Sequence, residues 1–115
     1  EKELLDLPEK IADMQYAILN IQQDIEAVED ETRMIKEAAL EKILSEKEAG
    51  KAKYSNEEQR KLALARMLTP DENYNGCMDK LRSLKTSLRG AEIKEEKVRN
   101  LFRAYQAIAM LRGKL

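Results

Sequence analysis

The side chains in this 115-residue sequence that could do chemistry are its carboxylates, one thiol and a long series of cations. Glu26, Glu29, Asp30 and Glu37 lie close enough in sequence to suggest a carboxylate metal cluster. On a helix they scatter round a solvated face, and no Glu-x-x-His pair accompanies them, as a di-iron site demands. Histidine is absent, which removes the commonest general base and the commonest imidazole ligand. Cys77 is the single cysteine. Lys80 and a helix start nearby are the setting of a reactive thiol, yet it falls at a heptad position where a small buried apolar side chain is ordinary. Phosphate-binding glycine loops, nucleophile elbows and cysteine-pair metal motifs are missing. The expectation is a non-enzyme without metal or cofactor.

The cations rise above this background. Lys80, Arg82, Lys85, Arg89, Lys94, Lys97, Arg99, Arg103, Arg112 and Lys114 follow one another through the last third, and after Glu96 five basic residues meet no acidic one. A surface that tracks a nucleic-acid backbone needs such a series, with an occasional aromatic such as Phe102 or Tyr105 for stacking. A solvated helix face, or one lying against an acidic helix, has the same composition, and at their heptad positions Phe102 and Tyr105 also suit a core. Net charge is only −1 but is split unevenly. Residues 1–50 hold 6 basic and 14 acidic side chains, a balance of −8, and residues 51–115 hold 15 and 8, a balance of +7.

The elements that must position these charges follow from apolar spacing. Charged residues make up 37% and aromatics 4% of the chain, a mixture that suits long coiled-coil-type helices. Pro8 fits the first turn of a helix and predicts a start near Glu9. Ile11, Met14, Ile18, Ile21, Ile25, Val28, Thr32, Ile35 and Ala39 then alternate steps of three and four, predicting a helix over about 9–48 capped by Gly50. Ser55 and Glu58 form a capping box for a short helix over about 56–68, burying Leu62, Ala65 and Met67 or Leu68. Thr69, Pro70 and Glu72 repeat the start signal. Tyr74, Cys77, Leu81, Leu84, Leu88, Ala91, Glu95, Val98, Phe102 and Tyr105 carry the heptad through a last helix over about 70–113. Beyond Val98 the apolar face widens to Leu101, Ile108, Met110 and Leu111, as a helix with two neighbours requires.

The expected fold class is therefore all-α: one domain over 1–115, a long helical hairpin of coiled-coil-type helices with a short intervening helix, assembled as an oligomer. Ile11, Ile18, Ile21, Ile25, Val28, Ile35, Phe102, Tyr105, Ile108 and Leu111 are the expected oligomer interface. Whether the helices pair within or between chains is left open by periodicity. The longest apolar runs fall short of a bilayer span, Glu1-Lys2-Glu3 matches no signal or transit peptide, and a lone cysteine gives no disulfide. The expectation is a cytoplasmic protein without membrane contact. The first residue is Glu1 in place of Met, which leaves open whether the sequence is a trimmed fragment with targeting information missing.

A long acidic helix, the connector KYSNEEQRKLALARML, the restart TPDENY and the ending FRAYQAIAMLRG together resemble small phage recombination mediators of the UvsY-like family, chiefly at Ser55, Arg60, Leu68, Asp71, Tyr74, Phe102 and Leu111. The resemblance implies a phage-encoded homo-oligomer acting in the host cell, which binds single-stranded DNA and helps load a recombinase onto strands covered by single-strand-binding protein. It implies Arg60, Lys61, Arg66, Arg82, Lys85, Arg89, Arg99, Arg103 and Arg112 as candidate DNA contacts. Arg99, Arg103 and Arg112 come first, because the chain after Glu96 is free of acids. The acidic first half departs from a simple DNA binder. The alternative is a coiled-coil scaffold or holdase-type chaperone whose heptad faces grip a protein partner.

Overall fold

The computed structural model describes the backbone of residues 2–48 and 50–114 and the side chains of 5–48 and 50–113. Leu4 and Lys114 lie outside the described side chains. The chain runs α1 (Lys2–Ser45), β1 (Lys47–Glu48), β2 (Lys51–Ala52), α2 (Glu57–Leu68) and α3 (Glu72–Lys114). The fold is all-α, with the two long helices forming a hairpin.

The chain divides into two compact units: unit 1 takes Glu1–Asp24 with Leu84–Leu115, and unit 2 takes Ile25–Ser83. In each, a segment of α1 lies antiparallel to a segment of α3, and the heptad positions form the seam. Unit 2 holds most of the core: Ile25, Val28, Ala39 and Ile43 from α1, Ala63 and Leu68 from α2, and Cys77 and Leu81 from α3 are all buried. Ile43, 2% exposed, is the deepest, and burying a side chain of that size stabilises a fold by roughly 1.5–3 kcal/mol. Unit 1 has only two helices. There Leu7 and Glu95 are buried, while Ile11, Met14, Ile18, Ile21, Leu88, Val98 and Phe102 stay half-covered. A third helix is what separates the two cases, since a single groove between two helices shields only one side of each seam residue.

Several local expectations are corrected. Pro8 lies inside α1, although it lacks the amide that would bond back one turn. Buried Leu7 extends the seam to that side of the proline, so packing holds the helix through it. Gly50 does not cap α1, which ends at Ser45. It sits at φ 77° in the turn of a small antiparallel hairpin pairing Lys47 with Ala52 and Glu48 with Lys51, where a residue without Cβ is at ease. Lys53 and Glu46 close the hairpin by a hydrogen bond of 3.1 Å from the Lys53 amide to the Glu46 carbonyl and an ion pair of 3.6 Å. The Tyr54 hydroxyl, and then Glu46, hold the Lys53 ammonium above the usual lysine value.

The caps fall one or two residues later than expected. Asn56, not Ser55, opens α2, accepting from the Gln59 amide at 2.8 Å, while Gln59 Oε1 reaches back to the Ser55 amide at 3.1 Å. Thr69 closes α2 instead of opening α3, with its amide and hydroxyl both on the Ala65 carbonyl. Asp71 takes the opening role, accepting from the Tyr74 amide at 2.9 Å. The buried face of α2 is Ala63 and Leu68, with Leu64 and Met67 half-covered; Leu62 is 53% exposed and Ala65 is exposed, contrary to expectation.

Candidate nucleic-acid interface

Among the expected DNA contacts, Lys61, Arg66 and Arg82 in unit 2 and Lys85, Arg89, Arg99, Arg103 and Arg112 in unit 1 are exposed, and Arg60 is half-buried. The helix brings only some together. Lys85, Arg89, Glu92, Glu96, Arg99 and Arg103 follow steps of four and three, so they share one stripe along the outside of α3, on the order of 27 Å at 1.5 Å per residue. Two glutamates interrupt it. Arg112 falls instead on the seam line beyond Tyr105, seven residues on.

Arg99 differs from its neighbours. Its guanidinium pairs with Glu95, four residues back, and Glu95 is itself 5% exposed on the seam. Gln15 of α1 donates to the other oxygen of that carboxylate at 3.4 Å. The expectation that no nearby acid neutralises Arg99 is thus corrected: the acid precedes Glu96 and reaches forward one helical turn. Lys61 pairs with Glu57 at 3.6 Å and Arg82 with Asp79 at 3.5 Å. Such exposed pairs are worth about 0–1 kcal/mol and yield readily to a stronger partner. On α1, Arg33 bridges Asp30 at 3.0 Å and Glu37 at 3.9 Å, so those carboxylates form a charge ladder. None of these pairs joins α1 to α3. Glu95 and Glu31 are turned towards the opposite helix, against Gln15 and Cys77.

The expected interface residues lie largely inside the chain. Ile25 and Val28 are buried in unit 2, and Ile11, Ile18, Ile21, Ile35, Phe102 and Tyr105 are half-buried on the intrachain seams. In the single chain those positions thus form the hairpin seam. Ile108 and Leu111, at 45% and 63% exposure, are open. Cys77 is buried with its thiol 3.5 Å from Glu31 Oε2, a seam position.

One cationic site went unread in the sequence. In unit 2 a groove of about 450 Å³ is lined by Lys36, Lys61, Leu64, Leu68, Tyr74 and Asn75, with the Lys36 ammonium 5.8 Å from the centre of the Tyr74 ring. Lys61 keeps its pair with Glu57, so the Tyr74 ring has the Lys36 ammonium over it. The hairpin register alone would have paired Lys36 with Tyr74, and α2's buried face was needed to add Lys61.

Fold and sequence together define an all-α helical-hairpin protein. No known protein family, curated protein or solved structure gives a match to the chain. Among the described residues, no helix is long and apolar enough to cross a membrane, and no three metal-ligating side chains come together.

Proposed function

We propose that this chain is a non-enzymatic accessory protein of recombination or replication, which binds single-stranded DNA as a homo-oligomer and helps load a recombinase. The carrying observation is that Lys85, Arg89 and Arg103 stand exposed on one stripe of α3. Contacts from such a stripe go to phosphates and release counterions, so recognition is electrostatic and nearly independent of sequence. Glu92 and Glu96 interrupt the stripe and keep affinity per chain low, which makes several copies on one strand a requirement of useful binding. The resemblance to UvsY-like mediators adds the recombinase and single-strand-binding protein as partners.

The test is fluorescence anisotropy of labelled oligo-dT titrated with the protein. Contact with four phosphates predicts about a fiftyfold loss of affinity between roughly 50 and 200 mM salt. Replacing Lys85, Arg89 and Arg103 together by Ala removes most of the binding and leaves oligomeric mass unchanged. Absence of binding at low salt overturns the reading and leaves the scaffold or holdase, in which the exposed apolar residues grip a protein partner.

A further inference from the structure

Unit 1 carries two stripes that its own helices leave uncovered. On α1, Leu5, Ala12, Tyr16 and Leu19 follow steps of seven, four and three on the side away from the seam, and Leu5 and Tyr16 are 78% and 69% exposed. Glu9 fills the gap in that stripe, and Asp6 and Asp13 border it. On α3, Lys94, Lys97, Leu101, Ala104, Ile108 and Leu111 follow steps of three and four along one flank of the seam, all exposed. That flank begins at a groove of about 450 Å³ lined by Met14, Ala17, Ser87, Gly90, Ala91 and Lys94. Small residues make the groove, and a Cβ built on Gly90 meets nothing within 4 Å.

We infer that a second copy of this chain covers these surfaces, with the outer stripe of α1 from one copy lying antiparallel along the α3 flank of the next. Register follows from counting along both helices. With the Tyr16 ring in the Gly90 groove, Asp13 and Glu9 come abreast of Lys94 and Lys97. Leu5 then meets Leu101, because 5 to 16 and 90 to 101 are both eleven residues. Aromatic meets groove, acid meets base and leucine meets leucine in one alignment. Charge also selects the partner: the stripe of α1 carries Glu9 with Asp6 and Asp13 beside it, and the flank of α3 carries Lys94 and Lys97. Like stripes would set acid against acid or base against base. The contact is heterologous, since each copy offers one surface of each kind, so successive contacts close into a ring or extend as a filament. The inference rests on the homo-oligomer part of the proposed function and is independent of DNA.

Two variants at exposed positions test it by sedimentation velocity, with far-UV circular dichroism as the check on folding. Tyr16→Glu spoils the α1 stripe and Gly90→Leu fills the groove, the latter while favouring the helix. Each alone is expected to be monomeric, with association weakened on the order of a hundredfold, as loss of a central aromatic anchor does. Mixed together they form a one-to-one dimer, because one supplies an intact groove and the other an intact stripe. Lys94→Glu with Lys97→Glu likewise weakens assembly, and mixing that variant with Glu9→Lys, Asp13→Lys restores it. A wild-type chain with a Kd for itself weaker than about 100 µM overturns the inference. So does either single variant assembling like wild type, or a mixture that stays monomeric. Oligo-dT anisotropy on the same samples separates the two proposals. Salt-sensitive binding by an unassembled chain sinks this inference and the homo-oligomer part of the proposed function but keeps the DNA reading, and assembly without DNA binding sinks only the DNA reading.

Discussion

Glu95 is the residue where local chemistry departs most from its surroundings. It occupies a seam position that its helix otherwise fills with Leu81, Leu84, Leu88 and Val98, and it is kept there by Arg99 and Gln15. A buried carboxylate loses hydration that its partners only partly restore, and well-packed apolar replacements of such groups are often stabilising by about 1–4 kcal/mol. Glu95→Leu is therefore expected to raise the midpoint of urea unfolding with an unchanged slope, the signature of altered stability at constant exposed surface. A lowered midpoint refutes that expectation. A polar seam residue can hold two helices in one register. Thr32 does not serve this way, because its hydroxyl is satisfied within α1 on the Val28 carbonyl at 2.9 Å.

At the scale of the element, Pro8 is the clearest strain. Pro8→Ala restores a backbone amide inside α1 and is expected to stabilise the first turns by up to about 3 kcal/mol. The measurement is slower hydrogen exchange of the amides following position 8, against no change near Ile43. The seams were legible in the sequence, because a 3.5-residue repeat kept over four heptads has no other structural meaning. Helix ends were less legible. Ser55 and Asn56 are both good caps, and the choice fell to Asn56 because Gln59, not Glu58, then closes the loop onto the backbone. Thr69 likewise carries a start signal but ends α2. The buried face of α2 was legible only at Leu68, since Leu62, Ala63, Leu64, Ala65, Met67 and Leu68 surround the helix, and only the surfaces of α1 and α3 select Ala63 in place of Leu62 and Ala65. For the candidate interface, the cations themselves were legible, but the hold of Glu95 on Arg99 was hidden by counting acids only after Glu96.

For the molecule as a whole, stability is distributed unevenly. Leu7 excepted, the buried apolar residues belong to unit 2, and slowest exchange follows such dense burial. Amides of α1 between Ile25 and Ile43 are expected to exchange at least tenfold more slowly than those between Leu5 and Leu19 in the isolated chain, and self-association through unit 1 narrows the gap. Equal protection throughout α1 contradicts this picture. The uneven burial also places the less stable unit where the uncovered stripes and most of the candidate DNA contacts lie, so folding and assembly are coupled there by mass action.

The small hairpin around Gly50 has a practical use. Its four strand residues are exposed, and its turn is held by backbone bonds and the Lys53 pair instead of by the core. Exposed loop tips of this kind tolerate added chain. A fluorescent peptide or affinity tag inserted after Gly50 provides a reporter that leaves both long helices, and every surface invoked above, unaltered.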